Sequence, residues 1–149
     1  MTQPNLRIYP RLDGVNVLLV DDDSTIRELM QAALEMMGAR VTPVSSGAEG
    51  LVIWAAEEPN AVLSDIAMPE MDGYEFIRAL RRMEQDQGKP RTPAVAISAF
   101  AQRTHRATAI DAGFDRYMAK PADPTELAML INDLCRAPTP ATASGGPSN

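Results

Sequence analysis

The feature that most constrains this chain is a change of apolar period that recurs five times between Val15 and Leu134. Each time a short β-branched-rich run gives way to apolar residues spaced three and four apart. Val15–Val20 is the first run and ends at Asp21, Asp22 and Asp23, which predicts a buried strand. From Ser24 the residues Ile26, Leu29, Met30, Ala33, Leu34 and Met37 recur at helical spacing until Gly38 stops them. Arg40–Val44 predicts a second strand at a sheet edge, because Pro43 has no N–H to give to a ladder. Ser46 and Glu49 have the spacing of a capping box and open a helix through about Ala56. Asn60–Ser64 predicts a third strand that ends at Asp65. A loop over 66–73 then leads to a helix carrying Phe76, Ile77, Leu80 and Met83. The polar stretch Glu84–Pro93, with Gly88, Pro90 and Pro93, predicts a loop, and Ala94–Ser98 a fourth strand. A polar helix over Gln102–Ala112 is stopped by Gly113, and Asp115–Ala119 predicts a short fifth strand. Asp123 then caps a last helix with Pro124 at its first position and Leu127, Leu130, Ile131 and Leu134 inward.

Strands alternating with helices imply βαβ units, hence a parallel sheet covered on both faces. Right-handed crossovers leave few arrangements. The expected one is α/β, a flavodoxin-like (βα)5 three-layer sandwich with a five-stranded parallel sheet of order 2-1-3-4-5, its ligand crevice at the carboxyl ends of strands one and three. The domain is expected over 14–136. Residues 1–13 are expected to be a flexible lead, and 137–149, without a charge and rich in Pro, Thr, Ala, Ser and Gly, a disordered tail. The 149 residues do not suffice for two comfortable cores.

A formal net charge of −6 argues against non-specific binding to nucleic acid or to an anionic membrane, which rewards excess Lys and Arg. No apolar run approaches the roughly 20 residues of a membrane helix, and the first 14 residues lack a signal-peptide core. Cys135 has no partner for an intrachain disulfide, which fits a reducing cytoplasm, and reads as a small packed residue. His105, between Arg103 and Arg106, reads as a surface residue, Trp54 as a partly buried packing residue, and the nine methionines as core filler.

Four of the five strand ends carry groups suited to phosphate chemistry: Asp21 and Asp22, Asp65, Ser98 and Lys120. In a parallel sheet these ends share one edge, so the residues converge. Two like charges about 4 Å apart repel by about 4 kcal/mol at an effective dielectric of 20, and a divalent cation relieves this. Mg²⁺ fits hard oxygen donors, with Mn²⁺ able to substitute. Lys120 supplies a compact positive charge for Asp65 at rest and for a phosphoryl oxygen after transfer, and Ser98 a hydroxyl donor. A carboxylate is a competent nucleophile in such chemistry.

The segments Val-Leu-Leu-Val-Asp-Asp-Asp (17–23), Leu-Ser-Asp-Ile-Ala-Met-Pro-Glu-Met-Asp-Gly (63–73), Ala-Ile-Ser-Ala (96–99) and Tyr-Met-Ala-Lys-Pro (117–121) closely resemble response-regulator receiver domains of the CheY-like family. The resemblance runs from about Gly14 to Arg136. It implies a phosphoacceptor at Asp65, with Mg²⁺ on Asp21, Asp22, Asp65 and the Ala67 backbone carbonyl. It also implies that Ser98, Ala99, Tyr117, Lys120 and a cis Pro121 form the phosphate-binding switch. The donor would be a histidine kinase or a histidine phosphotransfer protein, and the chain a signalling switch rather than an enzyme. Output would pass by protein contact through the face of helix four, strand five and helix five, with Arg103, His105, Arg106, Arg116 and Tyr117 as a basic patch. A single-domain regulator and the C-terminal receiver of a hybrid kinase fit equally well. Ala67 and Phe100, beside the path of the hydrolytic water, cannot hydrogen-bond it, which predicts a long-lived phosphorylated state.

The main alternative is a haloacid-dehalogenase-like phosphatase with Asp21 as nucleophile, since Asp21–Thr25 fits Asp-x-Asp-x-Thr. That chemistry needs a late acidic pair on a further strand, and a capped helix and a tail are all that follow Lys120. A P-loop ATPase lacks its Gly-x-x-x-x-Gly-Lys-Ser/Thr segment.

Overall fold

The computed structural model describes residues 10–99 and 103–136. The strands are β1 (Asn16–Val20), β2 (Arg40–Val44), β3 (Ala61–Asp65), β4 (Ala94–Ser98) and β5 (Arg116–Ala119). The helices are α1 (Ser24–Met36), α2 (Gly47–Glu57), α3 (Gly73–Gln87), α4 (Arg103–Ala112) and α5 (Pro124–Arg136). All four strand pairings are parallel, in the order β2-β1-β3-β4-β5. This is the flavodoxin-like arrangement expected from the sequence. β2 lies at an edge, where Pro43 opposite Leu19 costs the sheet no inner hydrogen bond.

Strand side chains alternate between two cores. Leu18, Val20, Val62, Ala94 and Ala96 face Trp54, Phe76, Ile77, Leu80, Ala109 and Phe114 from α2, α3, α4 and the turn after α4. Val17, Leu19, Ala61, Leu63, Val95 and Ile97 face Leu34, Leu127, Ala128 and Ile131 from α1 and α5. Because both faces are covered, β3 and β4 are buried at every position.

Three expectations change. First, α3 runs through Glu84 to Gln87 and stops at Gly88 in the left-handed region, φ 63°. Glu84 is a buried partner rather than a loop residue: its side chain is only 6% exposed, 3.0 Å from the Arg81 guanidinium, and it accepts the Thr92 N–H at 2.6 Å. Arg81 also donates to Gly113 O and to Asp115, so α3 is tied to the start of β5. Second, Leu12 is fully buried and its N–H donates to Met37 O at 2.7 Å, so the lead drawn as loose to residue 13 is anchored from Leu12 onward. Third, the Ser46–Glu49 box is half formed. Ser46 Oγ accepts the Glu49 N–H, but the Glu49 carboxylate accepts from Ser45 instead of returning to Ser46. A complete box forms at Asp72 and Glu75, at the start of α3. Residues 1–9 and 137–149, and with them most of the expected lead and the whole tail, lie outside the described residues, as does the expected first residue of the fourth helix, Gln102.

Gly73 fixes α3 against the end of β3. A Cβ there would run into the Asp65 carbonyl oxygen and lie 2.8 Å from Ile66 Cα, while the Gly73 N–H donates to Ile66 O at 2.8 Å. The obstacle is backbone and cannot turn aside. Gly73→Ala should therefore lower stability in urea unfolding by about 1–3 kcal/mol, the usual cost of overpacking; an unchanged midpoint would contradict this packing.

Candidate phosphoryl-transfer site

The parallel sheet delivers the carboxyl ends of its strands to one edge. β1 hands over to Asp21 and Asp22, β3 ends on Asp65, β4 ends on Ser98, and β5 hands over to Lys120. Carboxylate oxygens of Asp21, Asp22 and Asp65 lie within 4.8 Å of one another. Asp21 and Asp65 are buried, and Asp22 is exposed at the mouth. Lys120 Nζ reaches both buried acids, at 3.2 Å from Asp21 Oδ2 and 3.3 Å from Asp65 Oδ2.

Backbone groups hold the acids in place. Asp21 Oδ1 accepts the Asp23 N–H at 2.9 Å and Asp65 Oδ1 accepts the Ile66 N–H at 2.8 Å. Asp23 itself caps α1 through the N–H groups of Thr25 and Ile26, which keeps it out of the pocket. Arg27, on the first turns of α1, donates to Asp21 O at 2.7 Å and pins the end of β1.

The electrostatics are unbalanced. Three carboxylates against one ammonium leave a formal charge of −2 when all four groups are ionised. Burial pushes the Asp65 carboxyl above its usual range, and the Asp21 charge pushes the same way. Lys120 and the Ile66 N–H oppose this without cancelling it. For Lys120, burial pulls the ammonium down, but Asp65 and Asp21 together outweigh it and hold it above its usual value. The lysine is thus kept charged while the aspartate carries the cost. Clustered hard oxygen donors, short of positive charge and partly open, suit a small divalent cation such as Mg²⁺.

Ser98 is buried, and its carbonyl accepts the Lys120 N–H at 2.7 Å, which ties the ends of β4 and β5 together. Ala67 and Ala99 are exposed at the rim. The Lys120–Pro121 peptide is cis. Tyr117 is 6% exposed, with the Arg106 guanidinium 5.5 Å from its ring centroid. Arg116 is exposed and His105 half-buried. Phe100, and the side chain of Arg103, lie outside what is described. At the opposite end of the sheet, Trp54 is more buried than expected, 2% exposed, and donates to Thr92 Oγ1 at 3.0 Å.

Two residues near the site escaped the sequence. Arg27 is one of several arginines in helices, and its tie to Asp21 O is a tertiary contact with no local signal. Tyr74 packs beside the core that holds Tyr117; an aromatic directly after Gly73 was the available hint, but periodicity does not distinguish it from the core residue Phe76.

The family model for the response regulator receiver domain matches residues 17–132. An uncharacterized 14.6 kDa protein of Leptolyngbya boryana is 39% identical over 126 residues, covering 85% of this chain and 94% of its own length. The response regulator MprA of Mycolicibacterium vanbaalenii is 34% identical over 131 residues, covering 88% of this chain but 54% of its own length, so the chain spans about half of that relative. The receiver domain of the Francisella response regulator 1452 superposes with a TM-score of 0.75 at 26% identity, covering 83% of this chain and 98% of that one. No described helix is long and apolar enough to cross a membrane.

Proposed function

Because this chain belongs to the response regulator receiver family, we propose that it is a cytoplasmic phosphorylation switch in which Asp65 accepts a phosphoryl group from a histidine kinase or a histidine phosphotransfer protein. The observation that carries this reading is the convergence of Asp21, Asp22 and Asp65 within 4.8 Å, with Lys120 bridging the two buried acids.

In the transfer, an Asp65 carboxylate oxygen attacks phosphorus as the phosphorus–nitrogen bond to the donor imidazole breaks. The bonding pair stays on that nitrogen, and an acyl phosphate forms on Asp65. Asp21, Asp22, Asp65 and the Ala67 carbonyl would hold Mg²⁺, with Mn²⁺ as a substitute. When bound, the ion supplies positive charge against the phosphoryl oxygens. Lys120 trades its contact with the Asp65 carboxylate for one with a phosphoryl oxygen, so its charge is in place before the reaction begins. Ser98 donates its hydroxyl to another oxygen, Ala99 leaves room for that movement, and cis Pro121 sets the chain that carries Lys120.

The signal leaves as a population shift: phosphoryl contacts favour the arrangement in which Ser98 moves and Tyr117 follows. The receiving surface is α4, β5 and α5, where Arg106, Arg116 and His105 make a basic face for a downstream protein. The main alternative, phosphatase chemistry with Asp21 as nucleophile, gains nothing from the family match. Among the described residues, the one group of three or more acids placed to hold a metal ion is the one that contains Asp65.

Labelling the purified chain with acetyl phosphate and Mg²⁺ tests the reading, and one phosphoryl group per chain is the expected yield. Ala67 has no side-chain group to orient a hydrolytic water, and Phe100 offers none either. The label should therefore persist for minutes or longer once the donor is removed. Loss within seconds would contradict this.

A further inference from the structure

Asp22 is the exposed member of the acidic cluster, yet a carboxylate oxygen of it lies within the same 4.8 Å as those of the buried Asp21 and Asp65. Packing does not hold an exposed side chain, so its aim is set by the backbone on either side. Both peptide planes that flank the Asp22 Cα are held by side chains. The plane before it carries the Asp21 carbonyl, which accepts from Arg27 Nη1 at 2.7 Å. The plane after it carries the Asp23 N–H, which donates to Asp21 Oδ1 at 2.9 Å. Arg27 also meets this segment from its far end, where its own N–H donates to Asp23 O at 2.9 Å. A single residue on the first turn of α1 thus brackets the three aspartates.

We propose that Arg27 is a positioning residue of the metal site: its guanidinium fixes the peptide between Asp21 and Asp22, and so aims the Asp22 carboxylate at the cluster before an ion arrives. This rests on the reading of Asp21, Asp22 and Asp65 as the metal-binding acids. Two effects of opposite sign meet at Arg27. Its charge repels a cation, which alone would weaken metal binding. Its hydrogen bond removes freedom from the 21–22 peptide that binding would otherwise have to remove, which strengthens it. Groups that hold a metal's ligands in place typically change affinity by about 10- to 100-fold. The guanidinium is only partly buried, so water screens its charge, whereas the hydrogen bond acts directly on the backbone of two ligands. Positioning therefore outweighs repulsion. Removing Arg27 should weaken the site although it removes a positive charge.

Mn²⁺ titration of the full chain, read from the loss of the free ion's paramagnetic resonance signal, measures binding with no phosphoryl donor present. Arg27→Met keeps the aliphatic stem, deletes the charge and the donor, and suits a helix. Its Kd for Mn²⁺ should rise by about 10- to 100-fold. The contact uses one terminal nitrogen, so Arg27→Lys can remake it and should recover most of the loss. An unchanged or tighter Kd in Arg27→Met, or a lysine variant no better than it, overturns the proposal. A double-mutant cycle with Asp22→Ala, measured at millimolar Mn²⁺, separates positioning from a general loosening of the fold. With the Asp22 carboxylate gone, Arg27→Met should change Kd by no more than about twofold, the scatter of independent sites. Loss by the same large factor in both backgrounds would give Arg27 a merely structural role and sink the idea. The metal reading fails separately. If wild type binds no Mn²⁺, or Asp22→Ala and Asp65→Asn bind it as tightly as wild type, the acidic cluster is not the site and the proposal falls with it.

Discussion

Asp65→Asn should take up no label from acetyl phosphate and Mg²⁺ under conditions that label the wild type to completion. The amide keeps the shape of the side chain and loses the anionic oxygen that must attack phosphorus, so the expected loss is total. The fold should survive, because the substituted group is one that the folded state holds at a cost: burial and the Asp21 charge both disfavour the Asp65 carboxylate. Lys120 keeps its contact with Asp21 Oδ2 at 3.2 Å. Asp21→Asn and Asp22→Asn should slow labelling but leave Asp65 as the acceptor. If Asp65→Asn labels like wild type and Asp21→Asn does not, the phosphatase chemistry with Asp21 as nucleophile is correct instead.

Divalent metal should give the largest change in stability. The ion binds the folded acidic pocket and has no such pocket in the unfolded chain, so a free concentration a thousand times the Kd adds about 4.1 kcal/mol. In a domain of this size that raises the melting temperature by roughly 10 °C or more. Asp22→Ala removes a donor without disturbing the buried pair and should abolish most of the gain. An equal gain in both proteins would place the ion elsewhere.

Without metal, the same pocket makes stability depend on pH. The folded Asp65 carboxyl titrates above the ordinary aspartate value, because burial and the Asp21 charge outweigh Lys120. As pH rises past that value, the unfolded chain gives up this proton first, the folded chain binds more protons, and stability falls until the folded group ionises too. Above that point the penalty is constant. Metal-free Asp65→Asn should therefore be more stable than wild type at pH 7, and the difference should vanish below the ordinary aspartate value. Lys120 has the opposite sign: held above its usual value by Asp65 and Asp21, it contributes stability at neutral pH that is lost only as pH rises through its raised value. Differential urea unfolding from pH 3 to 7 isolates the Asp65 contribution.

The sheet order and the convergence of the acids were legible because alternating period implies βαβ units and right-handed crossovers leave few orders for a parallel sheet. Alternation of short apolar runs with helical spacing forces a parallel sheet, and a parallel sheet forces Asp21, Asp65, Ser98 and Lys120 to one edge. What escaped depends on partners distant in sequence. Glu84 read as a loop residue because it is charged, and its burial depends on Arg81 on one side and the Thr92 N–H on the other. Leu12 read as loose because a lone apolar residue before Gly14 has no period, yet it is fully buried in the cluster that holds Met37 and Leu34, and its N–H donates to Met37 O. The Ser46–Glu49 spacing suited a capping box, but Ser45, one residue earlier, offered the Glu49 carboxylate both an N–H and a hydroxyl.

The most direct measurement is the chemical identity of the phosphorylated residue. Borohydride reduction of the labelled chain converts an aspartyl phosphate to homoserine, which peptide mass spectrometry locates. Homoserine at position 65 is the predicted result, and homoserine at position 21 or a stable phosphate on any other side chain contradicts the account.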